Sequence, residues 1–483
     1  MKQFNDIFNN PIPNKIVKQA LKKNKSYLKK FGDDSQKIYH LKETPHSLLT
    51  PALGIQLLES SESPWVTQSN KPIIIGNIRM GYGHYRIAIA LASCAHALGY
   101  TPYWFDLPSF GETTGAKVIR HLNDLYSFGS RLSQKYSLFN RFYWEPLNYE
   151  GFKKLSYNAS DQVMSTLFIP IYHDLDPEVP FVATHVWPAQ AAVHAGIKTV
   201  INVIPDNWPM ALHLAEGSIH TTQTVSSTMG YKLLKGMDGS KILNPMKDED
   251  IAYCGHYVDH ELVINIEHDT QRRIQRIKNH EAKRCLMTIG GAGAQGSFYA
   301  HMIKSMLKRV VNKELTLFIN VGDHKHVWDH IVSLVSELKE MHIYHHTDWE
   351  STTACVKQAQ DDVVEGIHVF YHADIMEAVY STNLLMRESD ILVTKPSELS
   401  FYPIPKCFVK RVGGHEMWGA IHSSELGDGT IECDTVESAN QMMAYLLDDS
   451  KALLSMNEAI LMLHEQKLYH GAYKAIELCD KIK

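Results

Sequence analysis

Arg284-Cys285-Leu286-Met287-Thr288-Ile289, running into Gly290-Gly291-Ala292-Gly293-Ala294-Gln295-Gly296, is the stretch that decides how this chain is read. Its first part is an apolar run too short for a helix, and it ends in a glycine-rich turn. Residues 297–311 then carry apolar side chains at helical spacing, and Leu315-Thr316-Leu317-Phe318-Ile319-Asn320-Val321 is a second short apolar run. A strand, a tight turn, a helix and another strand describe one unit of a parallel sheet buried on both faces. The same order stands earlier in the chain. Pro72-Ile73-Ile74-Ile75-Gly76-Asn77-Ile78 leads through Gly81-Tyr82-Gly83-His84 into Ile87-Ala88-Ile89-Ala90-Leu91-Ala92 and on to Pro102-Tyr103-Trp104-Phe105-Asp106. Two doubly wound α/β domains in series account for both.

Further strands are predicted at 180–184, 198–204, 220–225 and 251–254 in the first half, and at 369–372, 390–394 and 406–410 in the second. The organisation expected is an N-terminal basic helical extension over 1–65 and a Rossmann-like domain over 66–258. A second such domain follows over 259–435, and helices that pack back on the domains over 436–483. In the extension, Val17, Ala20, Leu21, Leu28 and Phe31 form an apolar stripe among seven lysines of residues 15–30. Such a helix either docks on its own domain or lies on an anionic membrane surface.

Bulk composition narrows the classes. With 44% hydrophobic residues among 483 the chain can build more than one core. The 48 basic and 53 acidic residues leave a net charge of -5, so no global basic field points to nucleic acid. No apolar run approaches the roughly 18 residues of a membrane span, and the first residues lack a signal-peptide pattern. The seven cysteines are scattered and never form Cys-x-x-Cys, which fits a reducing cytosol.

Gly291-Ala292-Gly293-Ala294-Gln295-Gly296 matches a dinucleotide fingerprint set between a strand and a helix, where free N–H groups hold a diphosphate. Asp323, after the next strand, could meet a ribose, so a nicotinamide dehydrogenase is one reading. The first cluster departs from the fingerprint because Arg86 stands at the third glycine position. It places His84 in the first turn of a helix above the strand ends, where a ligand lies and where the helix dipole favours a neutral imidazole.

Gly81-Tyr82-Gly83-His84, with Ala88 and Ala90-Leu91, resembles the Gly-Gly-Gly-His-x-x-x-Ala start of a glycosyltransferase group (family 28-like). That group includes monogalactosyldiacylglycerol synthase and the peptidoglycan transferase MurG. Further stretches are similar to it and follow in its order: Thr184-His185-Val186-Trp187-Pro188, Val203-Ile204-Pro205-Asp206-Asn207-Trp208-Pro209 and Tyr253-Cys254-Gly255-His256-Tyr257-Val258. The Gly290–Gly296 loop, Thr394-Lys395-Pro396 and Gly414-His415-Glu416-Met417-Trp418-Gly419-Ala420 complete the set. The resemblance implies a GT-B fold, two Rossmann-like domains facing a cleft, and an inverting glycosyl transfer that needs no bound metal or other cofactor. A nucleotide-sugar, with UDP the implied nucleotide, is the donor; the implied acceptor is a lipid or envelope glycoconjugate.

By that resemblance His84 is the base, and Gly81, Gly83, His185 and Asp206 lie on the acceptor side. Gly290, Gly291, Ala292, Gly293, Gly296, Lys395, Glu398, His415 and Glu416 hold the donor. Two departures stand out. Residues 397–405 are shorter than the family's glycine-rich turn and helix, leaving Glu398 as the replacement ribose ligand, and the family's amide at His415 is changed. A nucleotide-sugar epimerase and a noncatalytic nucleotide-sugar binder are the alternatives within the fold.

Residues 107–149 mix aromatics (Phe110, Tyr126, Phe128, Tyr136, Phe139, Phe142, Tyr143, Trp144, Tyr149) with Lys117, Arg120, Arg131, Lys135 and Arg141. That mixture suits either helical packing or a headgroup interface, the latter placing the protein peripherally on the inner membrane face. Asp174-Leu175-Asp176 before Pro177 reads as a surface turn. His342, His345 and His346 have no cysteine or glutamate at ligand spacing, so no metal is assigned. No Gly-x-Ser-x-Gly elbow occurs.

Overall fold

The computed structural model describes residues 4–481 except Met80, Gly291, Ala292 and Ala294, and for Ser130, Arg131, Gln134 and Tyr149 the backbone alone. Two sheets organise it. The first has eight strands in the order Ile251–Tyr253, Ile219–Thr222, Val200–Val203, Phe181–Ala183, Pro72–Asn77, Thr101–Asp106, Gln56–Ser61 and His40–Pro45. All neighbours are parallel except the final pair. The second has six parallel strands in the order Ile343–His346, Ile367–Phe370, Leu315–Asn320, Lys283–Thr288, Ile391–Thr394 and Lys406–Phe408. The central strands are apolar throughout because helices cover both faces; Ile73, Ile75, Leu286 and Leu392 are fully buried.

Strand order fixes where a ligand fits. In the first sheet the chain steps from Pro72–Asn77 to Thr101–Asp106 on one side, then crosses to Phe181–Ala183 on the other. The crevice between Pro72–Asn77 and Phe181–Ala183 is therefore a topological switch point, and the loops carrying His84 and His185 leave from its carboxyl end. In the second sheet the switch lies between Lys283–Thr288 and Ile391–Thr394, and the loops leaving there hold Gly290–Gly296 and Lys395–Glu398.

The helix Gly83–Ala97 joins the two halves. Residues 88–95 along it are buried on every side. They are small or apolar all round because the sheet lies on one flank and helices Ile375–Arg387 and Gly471–Lys481 on others. Val379 and Tyr380 from the second domain share one core with Ile87, Leu91, Ala472 and Ile476. The chain passes between domains at residues 253–258, and that linker is strapped by the last segment. The His256 amide donates to the Leu468 carbonyl at 2.7 Å, and the Gly471 amide donates to the His256 carbonyl at 2.9 Å.

The first 65 residues are not a separate helical extension, because His40–Pro45 and Gln56–Ser61 complete an edge of the first sheet. Both are mostly polar, with Leu41 and Leu58 as their buried residues, a weaker signal than a central apolar run. The basic helix Asn14–Phe31 buries Val17, Ala20 and Tyr27 against helices Leu155–Met164 and Thr114–Lys135. Its apolar stripe is thus taken up by its own domain rather than by a membrane, with Leu21 left exposed. No helix among the described residues is long and apolar enough to cross a membrane.

Candidate functional site

His84 stands in the first turn of Gly83–Ala97, whose amino end has no side-chain cap. Its Nδ1 lies 2.7 Å from the Thr184 carbonyl oxygen. A carbonyl only accepts, so Nδ1 carries the proton and Nε2 is the basic nitrogen. Burial depresses its pKa below the ordinary 6.5, against smaller opposing pulls from the Thr184 carbonyl and Asp206. The His185 ring meets it edge-on, centroids 4.9 Å apart. His185 Nδ1 in turn accepts the Trp187 amide at 3.1 Å, capping the next helix.

Asp206 lies in the same cluster. Its Oδ2 is 2.9 Å from His213 Nε2, and its Oδ1 is 3.9 Å from His415 Nε2 of the second domain. Burial alone would raise this carboxyl, but His415, His213 and His84 together hold it well below the usual range. Asp206 is therefore a fixed anion facing imidazoles from both domains.

Lys395 and Glu416 form a half-buried ion pair. The Lys395 stem packs against Gly290, where an added Cβ would sit 3.1 Å from Cε. Burial would neutralise the ammonium, but Glu416 and then Glu398 outweigh it and raise the pKa. Glu416 Oε2 also accepts the Val412 and Gly413 amides at 2.7 and 3.1 Å, so its oxygens are engaged within the protein. Glu398 reaches across the domains: an added Cβ on Gly83 would lie 3.0 Å from its Oε2, and its Oε1 is 3.8 Å from Arg86 Nε.

The two glycine loops meet this cluster unequally. Gly81 and Gly293 take left-handed φ of 90° and 61°. Gly296 opens the helix Gly296–Val311, which has no side-chain cap at its amino end. Gly291 and Ala292 lie outside the described residues. Asp323 does not face open space: the loop of the first domain occupies it through Arg79 and the Tyr82 hydroxyl, and its own amide donates to that hydroxyl at 2.9 Å. This corrects the ribose role read from spacing.

Several residues that build the site were not singled out as site residues from the sequence. Arg86, which breaks the fingerprint, is a buried bridge between domains; its Nη1 donates to Asn383 Oδ1 at 2.6 Å and to the Val379 carbonyl at 3.3 Å. Trp208 and Trp418 stack across the domains, 4.8 Å apart and 9° from parallel, and Lys153 Nζ lies 4.6 Å over the Trp208 ring. His213 anchors Asp206. The break that Arg86 makes in the fingerprint, and the position of Trp208 and Trp418 inside two family-like stretches, were the signals in the sequence that hinted at these.

Between the domains is a small open hollow, lined by Tyr82 and Arg86 from one side and by Thr288, Gly290, Lys395 and Glu398 from the other. His84 does not line it; the histidine cluster adjoins it across Glu398. Two doubly wound sheets, each turning its switch point toward a shared cleft and followed by C-terminal helices of which the last, Gly471–Lys481, returns to the first domain, make up the GT-B architecture.

Residues 6–233 match a family model described as a domain of unknown function, DUF6937, and residues 246–480 match another, DUF6938. No curated protein matches the chain in sequence. Solved structures resemble it distantly. UDP-GlcNAc 2-epimerase from Neisseria meningitidis bound to UDP-GlcNAc is 11% identical, with 85% of this chain and 99% of that chain covered at a TM-score of 0.44. A glycosyltransferase from Rickettsia africae is 13% identical over 86% and 99% at 0.41. An alpha,alpha-trehalose 6-phosphate synthase from Burkholderia multivorans is 10% identical over 86% and 98% at 0.43. Likenesses this distant carry no argument about function.

Proposed function

We propose that the chain is a glycosyltransferase that binds a nucleotide-sugar, with UDP as the nucleotide, between its domains and passes the sugar to a hydroxyl acceptor. The observation that carries this reading is the imidazole of His84, held neutral at a switch point with its basic Nε2 beside a cluster drawn from both domains. In the step proposed, the acceptor O–H gives its proton to Nε2 as its oxygen attacks the anomeric carbon. The bond from that carbon to the diphosphate breaks, and its electron pair leaves on the diphosphate. The open amino end of Gly296–Val311 and the ammonium of Lys395 would meet that charge. Asp206, fixed as an anion, would stabilise the imidazolium that forms.

The acceptor side borders an apolar surface. Leu125, Phe128, Tyr136, Leu138, Phe142 and Tyr143 are exposed, Leu138 and Phe142 by 71% and 72%. Glu145 in this segment lies 4.0 Å from Arg411, just before the His415 loop. Aromatics beside Lys135 and Arg141 suit a lipid acceptor presented at a headgroup surface. Of the side chains expected in this segment, those of Arg131 and Tyr149 lie outside the described residues.

The test is a product assay with UDP-sugars and lipid extract, comparing the protein with His84→Ala. The proposal expects a glycosylated lipid that disappears in the variant while UDP binding persists. A rearranged nucleotide-sugar without acceptor would favour an epimerase, and binding without turnover a noncatalytic binder. Affinity for NAD instead of UDP would restore the dehydrogenase. For the surface, Leu138→Asp with Phe142→Asp should weaken binding to anionic liposomes, and unchanged binding would remove the membrane role.

A further inference from the structure

The second sheet carries a group of ligands at its other edge, with strand Leu315–Asn320 between it and Lys283–Thr288. His346 ends the edge strand Ile343–His346, Cys355 lies in helix Trp349–Asp361, and His368 belongs to Ile367–Phe370. Spacing along the chain gave no reason to join them; folding brings their donor atoms within 4.8 Å of one another.

The hydrogen bonds fix which nitrogens are bare. His346 Nδ1 lies 3.1 Å from the Ser351 carbonyl oxygen, and His368 Nε2 lies 3.1 Å from the Glu365 carbonyl oxygen. Carbonyls only accept, so both of those nitrogens carry protons. In the neutral rings the remaining nitrogens, His346 Nε2 and His368 Nδ1, therefore turn lone pairs toward each other, and they are 3.1 Å apart. Cys355 Sγ is 3.5 Å from the same His368 Nδ1. One thiol proton can serve only one of these lone pairs, which leaves the other opposed.

A cation at the centre satisfies all three atoms. Bond lengths of about 2.0–2.1 Å to nitrogen and 2.3 Å to sulfur in a tetrahedral zinc site place its ligands about 3.4 Å apart for two nitrogens and about 3.6 Å for nitrogen and sulfur. Two of the three separations, 3.1 and 3.5 Å, are close to these, and the third, from Cys355 Sγ to His346 Nε2, is within 4.8 Å. Each imidazole already has the carbonyl partner that commonly orients a metal-bound histidine. The rings are also held by packing: Phe370 stacks on His346 at 4.6 Å and Tyr344 on His368 at 4.6 Å. Cys355 and His368 are buried while His346 is only half-buried, which gives an ion a way in.

We infer that His346, Cys355 and His368 form a site for a zinc-type dication, with the fourth position open to water. Binding would release the Cys355 proton to solvent and staple the edge strand to its helix and neighbouring strand. The site stands apart from the cleft and does not depend on the sugar-transfer reading.

The test uses the full chain stripped of metal with a chelator. Titrated Co²⁺, a spectroscopic substitute for zinc, should bind at one ion per chain with a thiolate charge-transfer band that Zn²⁺ abolishes by displacement. Zn²⁺ should also raise the thermal midpoint. Cys355→Ser should lose the band, and His346→Gln, at the half-buried position, should lose the midpoint shift even if the serine variant folds poorly. His345→Ala is the control, since that ring packs on Trp328 and Tyr371 and should leave binding intact. Absence of stoichiometric uptake, or an unchanged band in Cys355→Ser, or equal loss in His345→Ala, would overturn the inference.

Discussion

His84 owes its chemistry to one carbonyl and to burial: the Thr184 oxygen selects the tautomer, and the protein around the ring disfavours its charge. Replacing it with alanine should slow transfer by about 10²–10⁴-fold, the usual worth of a general base, as read in single-turnover product formation. Because its pKa is depressed, the acid limb of kcat/KM should fall below pH 6.5; a limb above that value would show that another group sets the rate. The glycine turn before a helix made this residue's place in the fold legible in the sequence. Arg86 was visible only as a break in a fingerprint, because its meaning depends on Asn383 and Glu398, side chains that only the folded chain brings beside it.

Among the elements, the central strands were legible because burial on both faces leaves an unmixed apolar run. The edge strands His40–Pro45 and Ile343–His346, and Gln56–Ser61 beside the first of them, were not, since their polar residues read as loop until pairing is known. Helices packing back on the domains were expected at the end of the chain, but not the strap that its last segment lays over the linker. Gly255 has a φ of 92°, and a Cβ there would lie 2.5 Å from the Leu468 carbonyl; a Cβ on Gly471 would collide with the Gly255 carbonyl. Backbone cannot yield as a side chain tip does, so Gly471→Ala should cost about 1–3 kcal/mol, the range for overpacking. Denaturant midpoints would measure this, and an unchanged midpoint would mean that the last helix is not pressed against the linker.

For the whole molecule, the two domains are coupled through a shared core, the Arg86 bridge and the Trp208–Trp418 stack. Burial lowers the pKa of His84, His185, His220, His256, His368 and His422, the third, fifth and sixth to about 4. Below pH 6.5 the unfolded chain binds protons that these folded sites refuse, so stability falls as pH drops toward 4. Asp106 and Asp161, raised to about 7, and Asp259, raised to about 6, act in the opposite sense but are fewer. The thermal midpoint should therefore decline between pH 6.5 and 4; a midpoint that rises on acidification would show the carboxyls dominate.

The central claim is that the cleft between two switch points holds a nucleotide-sugar. Titrating UDP and UDP-sugars against the thermal midpoint tests it most directly, since a ligand bound by the native state alone raises that midpoint. A saturable rise with UDP compounds, retained in His84→Ala and lost in Lys395→Ala, is predicted. No rise with any of them, or a rise with NAD alone, would contradict it.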